Sequence, residues 1–293
     1  MSHDVIHPPD AEAERSAEAA ATGAGVTIRT LNAVSDLEVV QNLFAEVWQT
    51  WGNPPVTADL MVALSKAGSY VAGAFEDEEL VGACVGFFAA PVRGTLHSHI
   101  TGVLPRMQGR QLGFALKLHQ RAWAMARGIS EITWTYDPLI SRNAYFNLSK
   151  LSAEVVEYLP DLYGPLNDDL NGEDPTDRVL VRWRLEAPEV VQASRGVDRS
   201  VDAAAAVESG ARIALDRAAT GGPRIGTGGA ETLLVATPPD IEKLRGRRRS
   251  CASEWRVAQR EVLGGLLARG ARVRGFDRAG WYVVDTVRRP ETS

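Results

Sequence analysis

The sequence predicts an α/β fold, and two observations lead to this prediction. Between residues 26 and 186, segments with apolar residues at every second position alternate with segments whose apolar residues recur at i, i+3, i+4 and i+7. These are the periods of strands and of helices. Of the 293 residues, 45% are hydrophobic and 24% are charged, as in a globular protein that buries a sizeable core. The length allows one or two domains.

The predicted elements of this region follow a definite order along the chain. The order is strand, two helices, three strands, helix, strand, helix and two strands. A polar turn at 76–79 joins the second and third strands as a hairpin, and Gly128 ends the third helix. The predicted strands are 26–29, 70–75, 80–88, 96–103, 131–136, 155–159 and 179–185. The predicted helices are 36–48, 57–65, 112–127 and 141–151.

The two ends of the chain have different compositions. Residues 1–25 are rich in Ala, Glu, Pro and Gly, so we expect a disordered tail in which His3 and His7 are solvated. Residues 187–230 contain Gly-rich stretches and are expected to form a flexible linker. Residues 231–288 predict a small strand, helix, strand, strand segment. Because so short a segment is rarely stable alone, it should pack on the first domain or on a partner subunit in a homodimer.

Composition and charge narrow the class of partner and the compartment. The formal net charge of -5 argues against nucleic acid as the main partner. The most apolar run, residues 80–90, is far shorter than the roughly 20 residues that span a bilayer, and the N-terminus lacks a signal-peptide pattern. Cys84 and Cys251 form no metal-ligand pattern. We therefore expect a cytoplasmic protein with reduced thiols and no metal, whose partner is neither nucleic acid nor membrane.

A glycine-containing turn separates a predicted strand from the amphipathic helix that follows it. Gly109 and Gly113 lie in this turn, where the backbone N–H groups at the start of the helix have no intrahelical partner. Such N–H groups, together with the helix dipole, suit an anion such as a pyrophosphate. Gln108, Arg110 and Gln111 add side-chain donors to the same site.

This turn resembles the acetyl-CoA loop of the GNAT acetyltransferase superfamily. That loop is usually written Arg/Gln-x-x-Gly-x-Gly/Ala and follows a strand ending in Val-x-Pro. Here Val103 and Pro105 end the strand, and the loop follows them. Gln108 and Gly113 fit the first and last positions of the loop motif. Gln111 stands where the superfamily has its first glycine.

Two further features strengthen the resemblance. The predicted order of elements over 26–186 is the GNAT order. Residues 141–151 resemble the superfamily helix usually written Asn-x-x-Ala-x-x-Phe-Tyr-x-Lys-Leu-Gly. The sequence at 175–178, before the last strand, resembles that of a poorly characterised branch of predicted bacterial acetyltransferases. The resemblance implies the α/β (α+β) GNAT acyl-CoA N-acyltransferase fold, a mixed and mostly antiparallel sheet flanked by helices, for the domain at 26–186.

The resemblance also implies that acetyl-CoA is the co-substrate, bound where strands 96–103 and 131–136 splay apart. The pantetheine arm would pair with the backbone from Thr101 to Val103, and the Val103 N–H would also serve the tetrahedral oxyanion. Asn143 is either a further cofactor contact or a helix-surface amide. The residues implied at the pyrophosphate are Gln108, Gly109, Arg110, Gln111, Leu112, Gly113 and Phe114.

Candidates for proton transfer surround this implied cleft. His97 and His99 lie on one face of their strand by period-two alternation, and a histidine can accept a proton near neutral pH. Asp137, after the next strand, is the alternative base. The superfamily's usual tyrosine, a general acid, falls at Leu148, which has no proton to donate. Tyr145, one helical turn earlier, is either a substitute acid or a packed aromatic.

These features predict an acetyl-CoA-dependent N-acetyltransferase in which an amine attacks the thioester directly. The acceptor is a small-molecule or protein amine, and the acidic stretch 167–177 either attracts a cationic amine or is a solvated loop. The basic run 243–249 is interpreted as an exposed segment. The alternative function is a non-catalytic acyl-CoA-binding sensor or assembly module. Transfer of a longer acyl group also stays open, because pocket width cannot be read from the sequence.

Overall fold

The computed structural model of the chain forms two compact units. It describes residues 10–50, 52–90, 94–164 and 174–286. The first unit comprises residues 1–134 and 184–195, and the second comprises residues 135–183 and 196–293. One boundary between the units, at residues 134 and 135, falls within the strand predicted at 131–136.

The helices and strands are numbered along the chain. The strands are β1 (Thr27–Thr30), β2 (Tyr70–Glu76), β3 (Glu79–Phe88), β4 (Thr95–Val103), β5 (Glu131–Tyr136), β6 (Glu154–Leu159), β7 (Arg178–Arg184), β8 (Arg212–Arg217), β9 (Pro223–Ile225), β10 (Thr232–Ala236), β11 (Arg272–Asp277) and β12 (Trp281–Asp285). The helices are α1 (Ala11–Ala24), α2 (Val34–Trp48), α3 (Ala58–Lys66), α4 (Leu112–Met125), α5 (Ser141–Tyr145), α6 (Pro188–Ser194), α7 (Ala203–Glu208), α8 (Ile241–Arg247), α9 (Arg249–Gln259) and α10 (Gly265–Ala268). A 3₁₀ turn, Pro105–Met107, precedes α4, and π-helical turns at Phe146–Lys150 and Arg260–Gly264 follow α5 and α9. From β1 to β7 the predicted order of elements is confirmed.

The first unit contains a mixed sheet in the order β1-β2-β3-β4-β5. Its neighbouring strands are antiparallel, except that β4 and β5 are parallel. A Cβ at Gly82 would lie 3.1 Å from Leu112 of α4, and a Cβ at Gly102 would lie 2.9 Å from the Phe44 ring of α2. Because these two glycines point to opposite faces of the sheet, α4 and α2 cover opposite faces.

A β-bulge interrupts β4 in the middle of the strand. Val85 of β3 pairs with Ile100, but the next residue, Gly86, pairs with Ser98. His99 is therefore the extra residue of the bulge and has no partner on β3. At the bulge, the alternation of side chains between the two faces of β4 is shifted by one residue.

Helix α1 shows that one prediction was wrong. Asp10 caps the helix by accepting hydrogen bonds from the backbone N–H groups of Glu12 and Ala13. The buried residues of α1 are alanines, and the helix packs against α4. The predicted disorder is thus wrong for Ala11–Ala24, because small side chains pack closely without a strong hydropathy pattern. His3 and His7 lie outside the described residues.

The second unit contains the antiparallel pair β6-β7 and a separate five-stranded sheet. The order of that sheet is β11-β12-β10-β8-β9, in which β8 and β10 are parallel and the other pairs are antiparallel. A buried cluster lies on it, formed by Ala203, Ala211, Leu234 and Val283. The predicted flexible linker over 187–230 is wrong, since α6, α7, β8 and β9 form there.

Candidate functional site

The turn before α4 leaves several backbone N–H groups without a partner. Gly109 and Gln111 have left-handed backbone conformations, with φ of 83° and 62°. Within the described chain, the N–H groups of Gly109, Gln111, Leu112 and Gly113 donate to no other protein atom. They stand at the N-terminus of a 14-residue helix, whose dipole adds positive potential. The turn can therefore bind an anion, as its sequence predicts.

Other predicted donors of this turn are already engaged. The backbone N–H groups of Gln108, Arg110 and Phe114 donate to carbonyl oxygens of the turn itself. The Arg110 guanidinium donates to the Glu76 carboxylate at 2.6 Å and to the Ala24 carbonyl at 3.1 Å. Arg110 thus holds the β2–β3 hairpin and the end of α1 against the turn, and its side chain is not free to meet a phosphate.

Strands β4 and β5 separate after only three residue pairs. These pairs are Thr95–Glu131, Leu96–Ile132 and His97–Thr133. Strand β4 continues to Val103, and in the described part of the chain no strand pairs with it on that side beyond His97. A cleft therefore opens between β4 and β5, and it begins at the residues that follow the last pair.

The backbone of β4 presents hydrogen-bonding groups to this cleft. The Leu104 N–H donates to the Val81 carbonyl of β3 at 3.0 Å, and Val103 is paired with Gly82. In an antiparallel ladder, alternate residues point their N–H and C=O groups away from the partner strand. The backbone groups of Val103 and Thr101 consequently face away from β3, on the side of the cleft. This orientation is the one that the sequence prediction for Thr101 and Val103 requires.

Two histidines lie together on one face of β4. The His97 and His99 rings are 6.5 Å apart, and both lie beside the Phe87 ring, at 5.3 and 5.6 Å. Their predicted common face is confirmed. His97 Nδ1 lies 3.2 Å from Thr133 Oγ1. Burial, followed by the charges of His99 and Lys117, lowers the pKa of His97 to about 4, and burial also lowers the pKa of His99. Both rings are therefore neutral at neutral pH and can accept a proton.

Lys117 of α4, which sequence analysis missed, packs on the face of β4 opposite the two histidines. The Lys117 side chain is 4% exposed. Its Nζ donates to Ser98 Oγ at 2.7 Å and to Gln120 Oε1 at 3.3 Å, and it lies 3.9 Å from the centre of the Trp134 ring. Burial lowers the pKa of Lys117 to about 8. Lys117 is thus buried against β4 and β5, and no local pattern of α4 marks it as buried.

Asp137 belongs to the second unit and is part of a buried ion cluster there. Both carboxylate oxygens accept hydrogen bonds from Arg256, at 2.9 and 2.7 Å, and Arg245 donates to one of them at 2.6 Å. Burial alone would raise the pKa of Asp137, but the charges and hydrogen bonds of the two arginines hold it well below its ordinary value. This carboxylate has the environment of a structural ion pair, which is a poor environment for a general base.

Tyr145 and its neighbours on α5 also have partners within the second unit. The Tyr145 hydroxyl donates to Asp198 Oδ2 at 2.9 Å and accepts from Arg278 Nε at 2.8 Å. Leu148 is buried in the π-helical turn that follows α5, and Asn143 is half-buried on α5 itself. Tyr145 is therefore surrounded by charged side chains and not by packed aromatic ones. Its hydroxyl both donates and accepts a hydrogen bond within the second unit.

The described ranges contain neither a cluster of metal ligands nor a helix that could span a membrane. Among these residues, no group of three or more His, Cys, Asp or Glu side chains could hold a metal ion. No helix within them has the length and apolar character to cross a bilayer. The acidic stretch at 167–177 lies largely outside the described residues. Arg245, from the basic run on α8, is bound to Asp137 and Asp174 rather than exposed.

The strand order, the cleft between parallel β4 and β5, and the anion site at the start of α4 define the acyl-CoA N-acyltransferase fold class. Residues 37–146 match the model of the acetyltransferase (GNAT) family. This match agrees with the resemblance and with the predicted fold class.

Several solved structures are similar to part of this chain. The yncA protein of Salmonella typhimurium, solved with its cofactor acetyl-CoA, is 18% identical over 57% of this chain and 98% of that one, with a TM-score of 0.46. An N-acetyltransferase from Staphylococcus aureus Mu50 is 14% identical over 55% and 99%, with a TM-score of 0.46. The ribosomal-protein-S18-alanine N-acetyltransferase of Escherichia coli is 13% identical over 55% and 95%, with a TM-score of 0.45. A comparison with curated proteins found no significant match.

Proposed function

We propose that the protein transfers an acetyl group from acetyl-CoA to an amine. The observation that carries this proposal is the set of four N–H groups, of Gly109, Gln111, Leu112 and Gly113, that donate to no other atom of the described chain and lie near the edge of β4 beyond its last pair with β5. These N–H groups suit the pyrophosphate of coenzyme A, and the strand edge suits its pantetheine arm, which extends like an added strand. Acetyl-CoA in the Salmonella typhimurium protein supports this choice of co-substrate.

The two faces of β4 suggest how the transfer proceeds. With the thioester in the cleft, an amine approaching from the face of His97 and His99 attacks the carbonyl carbon and loses a proton to one of these neutral rings. We assign the base to His97, because Thr133 fixes one ring nitrogen and orients the other. The Val103 N–H also faces the cleft, but at about 3.3 Å per residue it lies about 20 Å along the strand from His97, so we assign it to the pantetheine arm rather than to the oxyanion. Asp137 has no part in this scheme, since two arginines occupy its carboxylate.

A non-catalytic acyl-CoA-binding module is the second candidate function. Leu148 at the position of the usual tyrosine favours it, as does the engagement of the Tyr145 hydroxyl by Asp198 and Arg278. Both functions require the same cofactor site. They differ only in whether an amine releases free coenzyme A from the bound thioester.

The cofactor site is tested by calorimetric titration with acetyl-CoA. Gly113→Asp places a carboxylate among the free N–H groups, so the expected result is loss of binding through charge repulsion with the pyrophosphate. Gly246→Asp is the matched control, because a Cβ at Gly246 meets no atom within 4 Å and the change in net charge is the same. The proposal fails if wild type does not bind, or if Gly113→Asp binds as tightly as Gly246→Asp does.

A further inference from the structure

Lys117 is a buried cation that pairs with no carboxylate among the described residues. Its side chain is 4% exposed, and none of the carboxylates in the described ranges forms an ion pair with it. Transferring an ammonium group from water to a protein interior is unfavourable unless an opposite charge compensates it. A fold that keeps such a group has a use for the charge, and a bound anion is one way to compensate it.

The position of this charge is defined by the two strands that form the cleft. Lys117 Nζ donates to Ser98 Oγ of β4 at 2.7 Å and lies 3.9 Å from the Trp134 ring of β5. Ser98 and Trp134 are the residues that immediately follow the last β4–β5 pair, His97–Thr133. The ammonium group therefore bridges the two strands at the closed end of the cleft. It lies on the face of the sheet opposite the histidines. Ser98 pairs with Gly86 of β3, and a Cβ at Gly86 would point at Gln120 of α4. The next residue of β3, Phe87, points to the other face and contacts both histidines.

We propose that Lys117, acting through the Ser98 hydroxyl, stabilises the thiolate that leaves when the thioester of acetyl-CoA is broken. This inference rests on the proposed function. In this step the attacking nitrogen forms the C–N bond and gives its proton to His97, while the electron pair of the C–S bond stays on sulfur. The Ser98 hydroxyl donates to that sulfur, and its oxygen accepts from Lys117 Nζ. The coenzyme A thiolate then takes a proton from solvent on release, and His97 returns its proton to solvent.

The ionisation of Lys117 fits this task. Burial lowers its pKa to about 8, so at neutral pH the group is mostly charged. The titratable groups that interact with it are Cys84, on β3, and His97. His97 cannot compensate the ammonium group, because a histidine side chain is either neutral or positively charged. Lys117 is thus a positioning residue that acts through Ser98, in a protein where Leu148 replaces the usual proton donor.

The test measures the pKa of the thiol of bound coenzyme A, a readout that needs no acceptor amine. The ultraviolet absorbance of the thiolate is followed against pH in the coenzyme A complex. Subtracting the same titration of the complex with the desulfo analogue of coenzyme A removes the signals of Cys84 and Cys251. The expected result is that the bound thiol titrates at least about one unit below free coenzyme A, since a nearby cation favours the thiolate.

The variants separate a charge effect from a structural one. Lys117→Met should remove the depression, a tenfold or larger change in the acid dissociation constant, with coenzyme A affinity at pH 6 kept within about threefold. Lys117→Arg should keep the depression, because the charge stays. Ser98→Ala should reduce the depression of the thiol pKa. Because it removes only one oxygen atom, this variant serves as the test if Lys117→Met does not fold.

Two results would overturn the inference. One is a wild-type bound thiol that titrates like free coenzyme A. The other is a depression that persists unchanged in folded Lys117→Met or in Ser98→Ala. In both cases coenzyme A still binds, so the proposed function survives. Absence of any binding would instead overturn the proposed function together with this inference.

Discussion

Replacing Asp137 by asparagine should destabilise the second unit strongly, because the substitution removes the carboxylate from a buried ion cluster. The Asp137 side chain is 4% exposed, and its partners Arg256 and Arg245 are 1% and 10% exposed. In the variant, Arg256 loses its hydrogen-bonded carboxylate, keeps only the charge of Asp177 nearby, and has little access to water. Asparagine keeps the shape of the side chain, so the effect reports the loss of charge.

The expected size follows from measured losses at buried pairs. Removing one partner of a buried ion pair costs about 3–5 kcal/mol, because the other charge is left uncompensated. Total unfolding free energies are about 5–15 kcal/mol, so this loss is a large fraction of the stability. With a urea dependence of about 3 kcal/mol per molar, the unfolding midpoint should fall by about 1–1.7 M.

Urea denaturation followed by tryptophan fluorescence measures this change, since Trp183 and Trp255 are both buried in the second unit. The matched control is Glu242→Gln. Glu242 pairs with Arg142, whose side chain is 67% exposed, so its loss should cost less than about 1 kcal/mol. If Asp137→Asn moved the midpoint no further than this control while it lowered turnover, the structural role of Asp137 would be refuted and the role of general base would return to it.

Three other variants test the cofactor site and the packing around it. His97→Ala should lower kcat by about 10²–10⁴ with little change in acetyl-CoA affinity, as expected for loss of a general base. In the wild type the acid limb of kcat/KM should lie near pH 4, because burial lowers the pKa of His97 to about 4 and the ring stays neutral above that pH. Full activity of the alanine variant would move the role to His99. Gly109→Val should weaken acetyl-CoA binding at least tenfold in calorimetry, because a β-branched residue does not tolerate the φ of 83° that the turn needs; unchanged affinity would show that the turn does not bind the cofactor. Glu12→Gln should lower the unfolding free energy by about 1–3 kcal/mol, because Arg121 is 1% exposed and Glu12 lies 3.6 Å from it. A midpoint in urea equal to that of the wild type would show that α1 does not stabilise the first unit.

Local patterns were sufficient to predict the elements of the acetyltransferase fold. Strand β5 was predicted and observed at the same residues, Glu131–Tyr136, because its alternating pattern is complete within six positions. The anion site was also predictable, since an N-terminal helix turn leaves free N–H groups wherever it occurs. The substitution of Gln111 for glycine did not prevent this, because glutamine adopts the left-handed conformation there with φ of 62°.

Contacts made by distant segments could not be predicted in the same way. Asp137 binds Arg245 and Arg256, which lie 108 and 119 residues further along the chain. No local pattern in the sequence connects Asp137 with either arginine. Lys117 has the sequence context of an exposed residue on an amphipathic helix. It is buried because it packs against Ser98 of β4 and Trp134 of β5, two contacts that the pattern of its own helix does not reveal. Helix α1 was also missed, because its buried residues are alanines.

The linker prediction failed for a related physical reason. Residues 212–217 and 223–225 are short strands with few apolar side chains, and they are ordered by pairing within a five-stranded sheet rather than by their own patterns. Strand formation depends on neighbours more than helix formation does. The glycines between them, which were interpreted as flexibility, instead form the turns of this sheet.

Titration of the purified protein with acetyl-CoA, followed in the same sample by thiol release on adding mixed amines, tests the central claim most directly. Saturable binding followed by release of free coenzyme A is the predicted result, and His97→Ala should keep the binding and lose the release. Binding without release from any amine would favour the acyl-CoA-binding module over the enzyme. Absence of binding would contradict the claim that the turn from Gly109 to Gly113 and the edge of β4 form a coenzyme A site.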